Sequence, residues 1–275
     1  SCVPPSVAVA GSNQTICIST PTALLTGNTP TLGVGSWSLV SGSGSISAPA
    51  SPITLVSGLV EGPNVFSWTI SNGLCTSVDQ VTITVDPLSA AANAGSDQTL
   101  CISNPTTNLN ATPALGGIWS VIQGSATIAN PLLPNTAVSN MSLGVNVLQW
   151  TVVSGVCAAN TDTMVIQVDD TPSVAFLSTP NETLCLSTPS TVLTGTPPTT
   201  GTGTWTFLQG TATLSNPTAG NSNLTGISTG TTILKWTVSN GTVCASSSAT
   251  MTIVGFAEND TPLVSPLTQT ICGAL

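Results

Sequence analysis

The chain has 275 residues and a formal net charge of −9, with one Lys, ten acidic residues and no His. Binding of nucleic-acid phosphates needs clustered cations, so this composition excludes a nucleic-acid surface. No apolar run reaches the ~18 residues of a membrane helix, so we expect no membrane insertion. Without His, neither a Ser-His-Asp nor a Cys-His catalytic arrangement can form, and we expect no enzymatic activity.

The first predicted element is a short segment that ends in cysteine and recurs along the chain. It occurs at Gln14–Cys17, Gln98–Cys101 and Glu182–Cys185, each copy 84 residues after the one before. It begins once more at Gln269–Cys272. This period is too long for a solenoid turn and suits one β-sandwich domain.

The repeat predicts three complete modules and the beginning of a fourth. The expected boundaries are residues 1–86, 87–170 and 171–259 for the three domains, and 260–275 for the first strand of a fourth repeat.

Two tryptophans follow in every module, the first in a Gly-x-Trp pattern and the second in an alternating segment typical of a strand. Aromatic residues on strands of this kind are expected to pack in the core rather than bind a ligand. The predicted core tryptophans are Trp37, Trp68, Trp119, Trp150, Trp205 and Trp236.

Each module closes on a hairpin and an alternating strand. Asn72-Gly73 is the strongest short hairpin signal and recurs as Asn240-Gly241, whereas the middle copy has Ser154-Gly155, which predicts a different turn there. With about seven short strands per copy, we predict an all-β chain of three tandem immunoglobulin-like β-sandwiches in a linear array.

Six of the eight cysteines fall two to a module, and we predict a disulfide within each module. These disulfides would close loops of 56 to 59 positions. Disulfides persist in oxidising compartments, so we expect an extracellular location. Metal binding is disfavoured because the chain has no CxxC motif and no His. The predicted pairs are Cys17 with Cys75, Cys101 with Cys157, and Cys185 with Cys244.

Cys2 and Cys272 remain, at opposite ends of the chain. One interpretation is that they bond successive chains head to tail; the other is that Cys272 bonds a downstream cysteine in a longer array. Residues 261–275 repeat the start of a module, and an isolated strand has no stability of its own. We expect this strand to join the sheet edge of a neighbouring chain, which would build a filament, or to rest on the third domain.

Acidic residues stand at each module junction, and they have two interpretations. They could bind Ca²⁺, which prefers oxygen ligands, or they could simply cap strands and start turns. The second is the simpler, and no other cofactor is expected. The residues are Asp86, Asp169, Asp170, Glu258 and Asp260.

Glycosylation would help a nearly chargeless surface to stay soluble. Asp162-Thr163-Met164 resembles the short Asp-Ser/Thr-apolar O-glycosylation signal of Bacteroidota. Asn-x-Ser/Thr sequons begin at Asn13, Asn110, Asn140, Asn181, Asn223 and Asn240.

The consensus of the modules resembles a known repeat family. It runs through residues 95–101, the Gly-x-Trp pattern, residues 68–75 and residues 81–86. These segments resemble the PKD-like or immunoglobulin-like repeats of large secreted Bacteroidota surface proteins, including gliding-motility adhesins exported by the type IX secretion system. The resemblance implies repetitive cell-surface fibres and adhesins.

We therefore expect an extracellular or cell-surface protein that serves as the structural subunit or stalk segment of a filament or adhesin. Its expected partners are further copies of itself, joined head to tail, or neighbouring repeats of a longer chain. The alternative is a ligand-binding adhesion module, for instance for glycans, within a longer tandem array.

Overall fold

A computed structural model describes residues 3–185, 187 and 189–257. Across these residues the chain forms 21 β-strands and no helix. It follows that the described part contains no apolar helix of membrane-spanning length. Three successive sets of seven strands form three β-sandwich domains, as predicted.

Most of the strands are short because Gly, Pro and Asn interrupt the alternating segments. Alternation is clear in β5, where Thr54 and Val56 are buried while Ile53 and Leu55 face solvent. The strands of the first domain are β1 Gln14–Cys17, β2 Thr22–Thr26, β3 Val34–Ser41, β4 Ser45–Ile46, β5 Ile53–Ser57, β6 Gly62–Asn72 and β7 Cys75–Asp86.

The second and third domains repeat this order with small changes in strand length. The second contains β8 Gln98–Cys101, β9 Thr107–Asn108, β10 Gly117–Gln123, β11 Thr127–Ile128, β12 Ala137–Ser139, β13 Gly144–Val152 and β14 Asn160–Asp169. The third contains β15 Asn181–Cys185, β16 Ser190–Thr194, β17 Thr202–Gln209, β18 Thr213–Leu214, β19 Asn221–Thr225, β20 Gly230–Ser239 and β21 Ser247–Phe256.

Each domain has one four-stranded and one three-stranded sheet. In the first domain the orders are β1-β7-β6-β3 and β2-β5-β4. The first strand pairs parallel to the last, β1 with β7, and all the other pairs are antiparallel. The C-terminal ends of the first and last strands therefore lie side by side at the same end of the sandwich. This position determines where the junction residues lie.

The two tryptophans of each domain form the centre of its core. Trp37 and Trp68 are directly opposite each other in β3 and β6, with ring centroids 5.0 Å apart. Gly35 lies under the second indole, and a Cβ at this position would overlap the Trp68 ring. The same contact occurs at Gly117 and Gly203, which explains the Gly-x-Trp pattern. All six tryptophans are buried.

A fully buried asparagine fixes the loop before β6. The Asn64 Oδ1 accepts a hydrogen bond from the Ser43 amide at 2.8 Å, and its Nδ2 donates to the carbonyls of Val60 at 2.8 Å and Gly62 at 3.1 Å. Asn146 makes equivalent bonds in the second domain. A buried amide is tolerated because its donors and acceptor are satisfied.

The hairpin before the last strand is tight only in the first domain. There Asn72 pairs with Cys75, so Gly73 and Leu74 form a two-residue turn as the Asn-Gly signal predicts. In the third domain the same signal is misleading, because the connection between β20 and β21 runs over seven residues, 240–246. The middle domain has a similar loop at residues 153–159, which differs from the first as predicted.

Candidate functional site: the domain junctions

The last residue of the first domain's final strand lies beside the end of its first strand. Cys17 is directly opposite Asp86 in the parallel pairing of β1 with β7. The Ile18 amide donates to the Asp86 carbonyl at 3.0 Å. In the second domain Cys101 is opposite Asp169 in the same way. Each of these domains therefore presents a cysteine next to the point where the chain leaves for the next domain.

These cysteines bond to the following domain. Cys17 forms a disulfide with Cys157, in the loop before β14, with Cα atoms 4.9 Å apart. Cys101 forms the equivalent bond with Cys244, in the loop before β21, with Cα atoms 5.0 Å apart. We call these two bonds the junction disulfides. They join the first domain to the second and the second to the third.

The prediction of one disulfide within each module is therefore wrong. Cys17 lies at the Asp86 end of β7, whereas Cys75 is the first residue of that strand. Eleven residue steps of an extended strand separate the two ends, about 36 Å. A disulfide requires Cα atoms roughly 4.4–6.8 Å apart, so Cys17 cannot reach Cys75.

The other two predicted pairs are also wrong, because Cys157 is bonded to Cys17 and Cys244 to Cys101. The involvement of all six cysteines in disulfides is nevertheless confirmed, because Cys75 and Cys185 are disulfide-bonded too. Cys2, Cys272 and the predicted C-terminal strand over 260–275 lie outside the described residues.

Asp86 adds non-covalent contacts at the first junction. Its carboxylate Oδ2 accepts a hydrogen bond from the Val156 amide at 2.9 Å. The Cys157 Sγ lies 3.4 Å from its carbonyl oxygen. Gly155 comes so close that a Cβ there would collide with the Asp86 carboxylate. The loop of the second domain is thus fitted around the last residue of the first.

The second junction repeats this arrangement with different partners. The Cys244 Sγ lies 3.5 Å from the Asp169 carbonyl oxygen, and the Asn240 side-chain amide donates to the Asp170 carbonyl at 2.8 Å. A Cβ on Gly241 would lie 2.7 Å from the Asp169 Oδ2. The loop before the last strand therefore contacts the preceding domain at both junctions.

The junction carboxylates have hydrogen-bonding roles in the structure. Besides the Asp86 contact, Asp169 accepts from the Gln167 side chain at 3.2 Å and Asp170 from the Thr171 amide at 2.8 Å. Within the described ranges, no group of three or more His, Cys, Asp or Glu side chains could hold a metal ion. Glu258 and Asp260 fall beyond those ranges.

The predicted glycosylation positions lie mostly at the surface. The exposed ones are Asn13, Asn110, Asn140, Asn181, Asn223 and Thr163. Asn240 is half-buried, and its side chain is engaged at the second junction.

The sequence pointed to acidic residues at the junctions, but not to the disulfides that cross them. The usable signal was the position of the first cysteine, which stands on a first strand and close to no other cysteine of its own module. The contacts of Asp86, Gly155 and Gly241 carry no sequence signal, because they exist only once two domains are in place.

No protein-family model and no curated protein gives a significant match. Among solved structures, the titin I-band fragment I67–I69 has a TM-score of 0.57 at 12% identity, covering 94% of this chain and 100% of the fragment. A Glu-to-Ala variant of titin I67–I69 has a TM-score of 0.58 at 13% identity and covers 93% and 100%. The PKD domain of human KIAA0319 covers 32% of this chain and 88% of its own, at 22% identity and a TM-score of 0.27. The likeness to the titin fragment shows that the described chain folds as three tandem immunoglobulin-like domains.

Proposed function

We propose that this chain is a structural segment of an extracellular filament or surface adhesive stalk. The observation that carries the proposal is the disulfide between neighbouring domains, found at Cys17–Cys157 and repeated at Cys101–Cys244. A tandem array of domains that served only as separate binding modules would not need covalent bonds across every junction.

The junction disulfides should stiffen the array. A single linker leaves two domains free to twist about it. Here the main chain after Asp86 and the bond from Cys17 connect the same two domains side by side. The hydrogen bond from Val156 to the Asp86 carboxylate adds a third point of attachment. Three neighbouring attachments oppose twist at the junction, as a stalk requires.

The cysteine usage favours an extracellular location, because disulfides persist in oxidising compartments. Such a location agrees with the resemblance to secreted Bacteroidota surface repeats. It also agrees with the exposed sequons, where we propose that sugars are attached. Glycans would hydrate a surface that carries few charges.

We further propose that chains join head to tail through the strand at 260–275. The support for this proposal is the sequence, in which residues 261–275 repeat the start of a module. Analytical ultracentrifugation of the purified protein should show oligomers that grow with concentration, whereas a variant without residues 260–275 should stay monomeric. A monomer at every concentration for both proteins would contradict this joining.

A glycan-binding role has less support. Stacking on sugars needs an exposed aromatic face. All six tryptophans are 3% exposed or less, and among the described residues only two aromatic side chains are exposed, Phe176 by 61% and Phe256 by 40%.

Two measurements test the stalk proposal. Gold-labelled antibodies against the chain, applied to the cells that make it, should decorate surface fibres under the electron microscope. Label confined to the cell interior would contradict the proposal. Small-angle X-ray scattering of the purified chain should give an elongated rod, and reduction should broaden its distribution of lengths.

A further inference from the structure

The two junction disulfides cross each other along the sequence. Their cysteines occur in the order Cys17, Cys101, Cys157, Cys244, and the bonds join the first to the third and the second to the fourth. The sequence separations are 140 and 143 residues. Each bond therefore has one of its two cysteines inside the stretch of chain that the other bond spans.

This crossing places three chain segments in parallel between the same two disulfides. The segments are residues 17–101, 101–157 and 157–244, of 84, 56 and 87 residues. Any one of them suffices to connect the two bonds. We infer that the crossed disulfides make the array a cleavage-tolerant tether, which stays covalently continuous after its backbone is cut at a domain linker.

Disulfides within each module would not have this property. If each disulfide lay within one module, the main chain over residues 76–100 would be the sole connection between the first and second domains. Residues 158–184 would be the sole connection between the second and third. A single cut there would release one domain from the next. In the observed arrangement a cut at the first linker leaves the first domain attached through Cys17, and two segments continue to carry load.

The linkers are the places where this tolerance matters. Pro87 and Leu88 follow directly after β7 and are exposed, Leu88 by 61%. Exposed connections are preferred sites of proteolytic nicking. A surface fibre meets proteases of other cells, so the use of this property rests on the proposed stalk function, although the covalent connectivity does not.

The same crossing limits extension under force. When all domains are unfolded, the distance between the two disulfides is set by the shortest segment, residues 101–157. Fully extended, 56 residues span at most about 200 Å, whereas the 227 residues from Cys17 to Cys244 would span about 820 Å. Reduction should therefore lengthen the unfolded span between Cys17 and Cys244 about fourfold.

A protease site tests the inference directly. We would insert the recognition sequence of a site-specific protease between Pro87 and Leu88 and cut the oxidised protein. A non-reducing denaturing gel should show one intact species, and a reducing gel should show two fragments. Both proteins carry Cys2→Ser/Cys75→Ser, so that no other cysteine of the first fragment can bond the second. Adding Cys17→Ser/Cys157→Ser to the same insertion gives the matched control, which should separate without reductant.

Magnetic tweezers test whether the cut protein still carries load. The protein that contains the protease site is attached to the surface and to the bead at Ser19 and Ala245, which are both exposed. After protease is added, tethers of the oxidised protein should survive, and those of the double variant should break. Equal breakage of both would overturn the inference. It would leave the stalk proposal standing, since that depends on where the protein is found and on its shape.

Discussion

Cys17 lies directly opposite Asp86 where β1 and β7 end together, and both residues connect to the second domain. Cys17 does so through its disulfide with Cys157, and Asp86 through the main chain and its hydrogen bond to Val156. The parallel pairing of the first and last strands thus attaches the first domain to the second at two neighbouring points, both at the same end of the sandwich. The second junction has the same construction at Cys101 and Asp169.

Disulfide mapping gives the most direct check of this arrangement. Digestion without reductant, followed by mass spectrometry, should yield linked peptides that contain Cys17 with Cys157 and Cys101 with Cys244. The reason is the approach of these residues across the junctions, with Cα atoms within 5.0 Å. Recovery of Cys17 linked to Cys75 instead would contradict the domain arrangement.

Removing one junction disulfide should loosen one junction. In Cys17→Ser/Cys157→Ser we expect a broader distribution of lengths in small-angle scattering. The free energy of unfolding should fall by no more than about 5 kcal/mol, the chain-entropy value for a loop of this length. Cys101→Ser/Cys244→Ser is the matched variant for the other junction. An unchanged scattering profile would show that non-covalent contacts alone hold the domains.

Position 155 should require glycine for two reasons: the positive φ, and the lack of room for a side chain beside Asp86. Gly155 and Gly73 occupy corresponding turns with positive φ, 50° and 64°, but only Gly155 faces a carboxylate of the preceding domain. Alanine costs roughly 1 kcal/mol at either position for its conformation. Gly155→Ala should also displace Asp86 and shift the NMR signal of the Val156 amide. If Gly155→Ala and Gly73→Ala lost equal stability and the Val156 signal did not move, the close contact between Gly155 and Asp86 would be refuted.

Gly35→Ala should destabilise the first domain by overpacking. A Cβ there overlaps the buried Trp68 ring, and overpacked cores typically lose about 1–3 kcal/mol. Urea unfolding followed by tryptophan fluorescence measures the change. Ser36→Ala, at the exposed neighbouring position of β3, is the control and should stay within about 0.5 kcal/mol of wild type. Similar effects of both would show that the glycine is dispensable.

Asn64→Ala should destabilise the first domain by roughly 1–3 kcal/mol, because it leaves the Ser43 amide and the Val60 carbonyl without their partner. Asn72→Ala removes one hydrogen bond near the surface, to the Val3 carbonyl at 3.0 Å. It should cost about 1 kcal/mol or less. Urea denaturation would compare the two variants. A smaller loss of unfolding free energy for Asn64→Ala than for Asn72→Ala would contradict a stabilising role of the buried Asn64 hydrogen bonds.

Much of the fold could be predicted from the sequence. The 84-residue period identifies three modules, and period-two alternation around Trp68 and Val81 indicates strands with one buried face. The burial of the tryptophans also follows from pattern. The turn after Val238 could not be predicted in the same way, since Asn240-Gly241 becomes part of a longer loop whose cysteine reaches the preceding domain.

The sequence by itself determined that the chain repeats, that the described residues are all-β, and that the six cysteines of the three modules are disulfide-bonded, because periodicity and composition are local properties. Only the tertiary structure decided which cysteines meet. Cys17 and Cys75 are closer in sequence than Cys17 and Cys157, yet they lie at opposite ends of β7. The parallel pairing of the first strand with the last turns Cys17 and Cys101 away from their own modules and towards the next domain.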